Sequence, residues 1–419
     1  MCRVYRKPSS QLDLFATDLF LERAKKGAGK LLRLNELFPF ESYRSFITQA
    51  IDTYRISHGG KPTSLLSSAG RRAMDPIFML KCVVAQRLYG KADRDFEQEM
   101  LQNRVLQHWL GIFQPGDVPS HKTIWKYKEI FAQTEVLETV FADYVKKLQS
   151  INCHIGKDAV IADSSFFEAP KQRNTREENA LIKKGKGSTL WNDQPVKKRH
   201  KDIDASWTKK RKEVHYGYKG HFLLCAVSKL LVKVFPTTAK VHDAKVIDRY
   251  LHWAKDSKKE VLFFADAGYT GKKIVEKLLE ANMPPLICEK GRKGVPLTAD
   301  QKQSNKMISS VRSRIEHVFG FIEESLGGSV VRSIGLIRAK FNITLTSLVY
   351  NICRLGQIVR GGVRRIGVSE SLHRCQERNT DTKDQEFDRA QFAEVRRYSA
   401  VHLHSCFSKS SAYEINFLL

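Results

Sequence analysis

Two aspartates each follow directly on a run of apolar residues. Residues 261–265 are all apolar and lead into Asp266, with Gly268 two positions on; residues 159–162 are all apolar and lead into Asp163. An unbroken apolar run of this length reads as a strand buried on both faces. A carboxylate at the end of such a strand emerges into a site or into water, and charge in such a place is paired, hydrogen-bonded or bound to metal. A third acid, Glu316, lies in a stretch of helical period. Val311, Ile315, Val318 and Ile322 form one apolar stripe, with Arg312, Glu316 and Glu323 beside it. Three carboxylates from two strand ends and a helix form a donor set for two hard divalent cations, Mg2+ or Mn2+, about 3.5–4 Å apart. One ion activates a water or a 3′-hydroxyl, and the other stabilises the leaving oxygen of an in-line attack on phosphorus. Arg312, one turn before Glu316, can bind a phosphate or orient that acid. For either Asp alone, a helix cap or a salt bridge is the plainer reading. The set of three is what points to phosphoryl chemistry.

The charge balance fits that chemistry. Lys and Arg number 71 against 45 Asp and Glu, a net charge of +26 over 419 residues. Self-repulsion of that size implies a polyanionic partner, nucleic acid ahead of a membrane surface. The eight Cys form no Cys-x-x-Cys pair and no dense framework, so neither structural zinc nor a disulfide scaffold is expected. No apolar stretch is long enough for a membrane span or a signal peptide, which predicts a cytoplasmic, nucleoid-associated protein.

The elements that must position the acids follow in order. Residues 1–45 read as a basic N-terminal arm and 46–150 as a small all-α domain. In that domain Pro76 opens one helix, and Ser120 caps another that carries Lys122, Lys126 and Lys128 with Trp125 and Tyr127 between them. That helix reads either as the recognition element of a helix-turn-helix arrangement or as a packed helix with a solvated Lys face. Residues 151–360 alternate strands and helices: the Asp163 strand, a hairpin of His215–Ser228 with Leu230–Thr238, a helix over Ala244–Ala254, the Asp266 strand, a helix over Lys272–Ala281, a short strand at Leu286–Cys288 and two more helices. This is a mixed sheet with helices on its faces. Within it, residues 170–213 carry fourteen basic and six acidic residues and read as a partly mobile basic loop suited to a phosphate backbone. Lys197, Lys198, Arg199, Lys209, Lys210, Arg211 and Lys212 in that loop, Lys219 just beyond it, and Lys126 and Lys128 are the predicted DNA contacts. His242 reads as a substrate contact or a structural residue, Asp243 as an acid of a helix's first turn, and Gly268 as the residue that permits a sharp turn after Asp266. Residues 361–419 read as a poorly ordered tail.

An ordered set of short segments carries a family resemblance. They are Asp75-Pro76-Ile77-Phe78-Met79-Leu80-Lys81; Val118-Pro119-Ser120; Ile161-Ala162-Asp163-Ser164-Ser165; Tyr216-Gly217-Tyr218-Lys219-Gly220-His221; Thr237-Thr238-Ala239-Lys240-Val241-His242-Asp243; Ala265-Asp266-Ala267-Gly268-Tyr269; and Arg312 followed by Glu316, His317 and Phe319. With these the chain resembles bacterial insertion-sequence DDE transposases of the IS-four and IS-five supergroup over about residues 35–360. The resemblance implies an RNase H-like core in which Asp163, Asp266 and Glu316 bind two Mg2+ or Mn2+ ions and Arg312 supports the Glu. It implies an enzyme that binds element ends, cleaves phosphodiester bonds and joins 3′-hydroxyls to target DNA. Partners would be double-stranded DNA, both terminal inverted repeats and target, and a second copy of the chain, since synapsis joins two ends. The family pattern has a Tyr three residues before the Arg and a Lys seven after the Glu; here they are Ser309 and Glu323. Loss of that Lys, which the resemblance assigns to DNA, keeps open the alternative of a catalytically impaired or domesticated DNA-binding remnant. A third possibility is a nuclease that cuts without joining.

Overall fold

The computed structural model describes residues 22–24, 29–65, 73–150, 158–210, 213–254, 260–291 and 294–362. Most of the expected N-terminal arm, Arg211, Lys212 and the expected tail lie outside them. The chain divides into two compact units, Met1–Ile130 and Phe131–Leu419.

Every element described in the first unit is helical. Helix α1 spans Arg44–Ser57, α2 Pro76–Tyr89, α3 Asp93–Gln102 and α4 Arg104–Leu110; α5, His121–Gln133, begins in this unit. Their ends are set by local chemistry. Asp75 accepts from the amides of Ile77 and Phe78, both at 2.9 Å, and Pro76 fills the first helical position, where no amide donor is needed. Gly90 closes α2 in the left-handed region at φ +61°. Ser120 caps α5 by accepting from the Thr123 amide at 3.3 Å.

The second unit is built on a six-stranded mixed sheet with helices around it. Helix α6 (Val136–Ser150) leads to strand β1 (Ala159–Glu168). Helices α7 (Arg176–Lys183) and α8 (Pro195–Arg199) come next, followed by strands β2 (Ser206–Lys210), β3 (Glu213–Cys225) and β4 (Leu231–Thr238). The chain then alternates: α9 (Ile247–Ala254), β5 (Leu262–Ala265), α10 (Lys272–Glu280), β6 (Pro285–Ile287), α11 (Ala299–Gly320) and α12 (Leu336–Gly362). The strand order is β2-β3-β1-β5-β6, with β4 also paired to β3. β1 runs antiparallel to β3 and parallel to β5, and β5 runs parallel to β6. The apolar runs read from the sequence are the buried starts of β1 and the whole of β5.

Two elements fix the ends of this sheet. The apolar stripe Val311, Ile315 and Val318 is buried where α11 packs on β1, β5 and β6. Burial on this scale contributes roughly 1.5–3 kcal/mol for each large apolar side chain. Asn351 of α12 is buried and holds both backbone groups of Leu231, donating to its carbonyl and accepting from its amide at 2.8 Å each. A buried amide that satisfies two strand groups pins the hairpin to the helix.

Two expectations differ from what is observed. Asp163 does not end its strand: β1 continues to Glu168, paired with β3, and only its parallel pairing with β5 stops at Ala162. Within the expected loop 170–213, the described residues 170–210 carry helices and a strand. Thr175 and Glu178 form a reciprocal capping box at the start of α7. Glu178 then accepts from the indole of Trp191 at 2.6 Å and from Lys197 at 2.8 Å. Asp202 is buried and accepts from the Tyr218 hydroxyl at 2.6 Å and from the amides of Ala205 and Gly335. Acids and aromatics spaced along the insertion thus fold it back on itself and onto the sheet.

Candidate active site

Parallel pairing sets the first fact of the site. Ala162 pairs with Ala265, and Ala265 with Ile287. The next residues are therefore Asp163, Asp266 and Cys288, side by side where the parallel pairing of β1, β5 and β6 ends. Asp266 caps a turn at Ala267–Tyr269, its carboxylate accepting from the Gly268 amide at 2.9 Å. Gly268 is needed because a Cβ there would lie 2.9 Å from the same carboxylate oxygen, not because the turn demands a positive φ.

Asp163 is held at both oxygens. Oδ1 accepts from the Ser164 amide at 2.8 Å, and Oδ2 accepts from Nη2 of Arg312 at 2.9 Å. Burial pushes the Asp163 carboxyl above its usual range, the charge of Asp266 pushes the same way, and Arg312 only partly offsets them. Burial works against the Arg312 charge, but the Asp163 carboxylate, with Cys288 and Asp266, overrides it and holds the guanidinium above its ordinary value. Arg312 also lies 3.9 Å from the Cys288 sulfur. The expected support of Glu316 by Arg312 is thus replaced by a charge-assisted bond to Asp163.

Glu316 lies one turn beyond Arg312 on α11 and is exposed. Among the described residues, no group of three His, Cys, Asp or Glu stands close enough together to hold a metal ion. The expected three-carboxylate cluster is therefore present as a pair, with an arginine on one member.

A second charged cluster occupies the other face of the sheet, and sequence reasoning missed it. Lys219, read as a DNA contact, is 7% exposed and donates to the Val241 carbonyl at 2.9 Å and to Asp243 at 3.2 Å. It is committed inside the protein and is not available to a phosphate. His221 is fully buried, with Nε2 2.9 Å from the Thr237 hydroxyl and Nδ1 3.3 Å from Asp243. Although burial opposes its charge, His221, Lys219 and Ser164 hold the Asp243 carboxyl far below the usual carboxylate range. Burial lowers the His221 pKa and keeps it neutral. One clue was present in the sequence: Lys219 and His221 share a strand face on a run otherwise apolar or aromatic.

The remaining predicted DNA contacts fall into two groups. Lys126 on α5 is exposed beside Trp125, itself 55% exposed, and Arg199, Lys209 and Lys210 are exposed. Lys128 is paired with Asp93 at 2.7 Å, Lys197 with Glu178, and Lys198 donates to Asn192 at 2.6 Å. Of the exposed group, Lys210 lies over the Phe166 ring at 5.8 Å from its centroid, whereas Lys128 and Lys197 are already paired with acids.

Against this geometry, known sequences settle the family. The transposase DDE domain matches residues 154–352, and the transposase domain (DUF772) matches residues 32–129. The chain belongs to the DDE transposases. The first of these matches contains Asp163, Asp266, Arg312 and Glu316, and the second contains Lys126 and Lys128. The transposase is also similar to a piggyBac transposase in a synaptic complex with hairpin DNA, at 10% identity and a TM-score of 0.40, over 87% of this chain and 85% of that one. A likeness that loose carries no argument. No helix among the described residues of the transposase is long and apolar enough to cross a membrane.

Proposed function

We propose that this transposase binds the ends of its own insertion element, cleaves phosphodiester bonds there and joins the freed 3′-hydroxyls to target DNA on an RNase H-like core. The observation that carries the reading is Asp163 beside Asp266 on adjacent parallel strands, with Arg312 on the first. Burial is the main cause of the raised Asp163 pKa, and the charge of Asp266 adds to it. Such a pair fits a hard divalent cation: Asp163 and Asp266 would hold Mg2+ or Mn2+, and Glu316, exposed one turn beyond Arg312, is the third acid that would have to join them. When bound, the ions would activate the attacking hydroxyl and stabilise the leaving oxygen.

The protein's own groups supply the rest. Arg312 fixes the orientation of Asp163 and brings a permanent positive charge to the edge where the scissile phosphate would lie. Hydrolysis and strand joining differ only in the nucleophile, water or a 3′-hydroxyl, so one site serves both. Lys126 with Trp125 on α5, and Arg199, Lys209 and Lys210, are the exposed cations assigned to the DNA backbone. Bringing two element ends together calls for two copies of the chain. Cleavage of a duplex ending in the inverted repeat that brackets the gene, with and without Mg2+, tests the proposal. Asp163→Asn should abolish cleavage and leave end binding intact; retained cleavage removes Asp163 from the site.

A second reading, a transposase that still binds DNA but no longer cuts, draws on the exposed Glu316 and on the acidic Glu323. Wild-type protein that binds the repeat but stays inert with Mg2+ would establish it.

A further inference from the structure

Strand β3 runs on past the strands beside it. The last pair of β1 with β3 is Glu168 with Gly217, and β4 joins β3 from Tyr218 onward. Among the strands, only β2 pairs with residues 213–216: Tyr216 with Trp207, His215 with Thr208, Val214 with Lys209 and Glu213 with Lys210. The result is a two-stranded antiparallel ribbon that extends beyond the rest of the sheet. Its root is anchored. His215 stacks on Phe166 of β1, with ring centroids 4.3 Å apart at 10°, and the Trp207 ring lies 4.7 Å from that of buried Tyr216.

Directly paired residues share a face, so one face of the ribbon holds Trp207, Lys209, Val214 and Tyr216, and the other holds Thr208, Lys210, Glu213 and His215. The second face is turned back on the protein: His215 lies 3.4 Å from Glu168, and Lys210 stands over the Phe166 ring. The first face looks outward. Trp207 is 47% and Val214 52% exposed, with Lys209 exposed beside them. Trp207 and Val214 are diagonal neighbours across the ladder, within reach of each other for an aromatic side chain.

Charge selects the partner for this apolar contact. Over residues 206–216 the sequence has four Lys or Arg and one acid. A second copy of a chain with net charge +26 is repelled by such a segment, whereas duplex DNA is attracted to it. The dimensions agree. The major groove is roughly 12 Å wide and admits a two-stranded ribbon, and it presents thymine methyls and base edges between two rows of phosphates. We propose that the β2–β3 ribbon enters the major groove of the element end, with Trp207 and Val214 against base edges and thymine methyls and Lys209 on the phosphate backbone. The inference rests on the DNA-binding reading given above. It adds a sequence-reading element to the unit that carries Asp163 and Asp266.

The test compares Trp207→Ala and Lys209→Ala with wild type in the full-length protein, in EDTA so that no strand is cut. Affinity is measured over a salt series for the inverted-repeat duplex and for a scrambled duplex of the same length. Guanine N7, which lies in the major groove, is probed in the repeat with dimethyl sulfate. Trp207→Ala should lose about 10-fold on the repeat and little on the scrambled duplex, with the salt slope unchanged and N7 protection reduced. Lys209→Ala should weaken both duplexes alike and lower the salt slope by about one unit. Val214→Ala removes little packing and should show the same selective loss as Trp207→Ala on a smaller scale, so it decides the matter if Trp207→Ala does not fold. The proposal is overturned if the apolar variants bind the repeat as tightly as wild type, lose equally on both duplexes, or leave N7 protection intact. Wild-type protein with no preference for the repeat overturns it as well. Wild-type protein that prefers the repeat but stays inert with Mg2+ sinks the proposed cleavage and leaves this comparison to decide the ribbon.

Discussion

Asp163 and Asp243 are two half-buried acids, and their surroundings drive them in opposite directions. Asp163 has one arginine and a second carboxylate for company, and burial raises its pKa. Asp243 has a lysine, a histidine and a hydroxyl, and its pKa falls far below the usual range. The first shares one arginine with a second carboxylate where the parallel pairing of β1 and β5 ends; the second is compensated inside the protein. Burial alone therefore does not mark a functional acid. What marks Asp163 is the mismatch between its burial and its partners.

The comparison can be broken most sharply at Asp163 and Asp266. Asn at either position should lower the cleavage rate by about a thousandfold or more, equivalent to at least about 4 kcal/mol in the barrier, measured by single-turnover cleavage. End binding by gel shift should be unchanged. Arg312→Ala should cost about 100-fold in the same assay, with Arg312→Lys recovering part, because Lys restores charge but not the fork.

Stability gives the next contrast. Asp243→Asn leaves Lys219 without its counter-charge and should destabilise the protein by about 3 kcal/mol at neutral pH, read as a lower melting temperature. A depressed folded-state pKa adds stability that is present above the unfolded carboxylate value of about 4 and is lost as pH falls through the folded value. The melting-temperature gap between wild type and Asp243→Asn should therefore narrow below about pH 4. For Asp163 the sign reverses: a raised folded pKa makes its ionised form a cost at neutral pH, relieved as pH falls. Asp163→Asn should melt at or above the wild-type temperature at neutral pH and lose that advantage on acidification.

The smallest effect separates the lysines. Lys126→Ala should weaken duplex binding a few-fold and reduce the salt dependence by about one unit of slope. Lys219→Ala should lower the melting temperature instead and leave the salt slope unchanged.

Much of the core was legible. The apolar runs before Asp163 and Asp266, the hairpin split at Ser228-Lys229 and the stripe on α11 are local patterns, and periodicity reads local patterns well. The helix start at Pro76 and the cap at Ser120 were legible for the same reason. The ordering of residues 170–213 was not, because it depends on Glu178 finding Trp191 and Lys197, and Asp202 finding Tyr218 and Gly335, at separations no window spans. Lys219 was misread because a lysine on a strand looks solvent-facing until the other face of the sheet is known to be covered. Arg312 was aimed at its helical neighbour Glu316 when its partner lay far away on β1.

Gly217 joins these observations. Its φ is +146°, and a Cβ there would lie 2.3 Å from the Phe167 carbonyl, so no side chain fits. It pairs with Glu168, the last residue of β1, and with Ser206, the first of β2. The polypeptide between those two strands thus departs from the scaffold and returns to it at the same rung. A segment mounted this way is an exchangeable cassette: while Asp202 keeps its anchor, evolution can lengthen, trim or recharge it without moving Asp163 against Asp266.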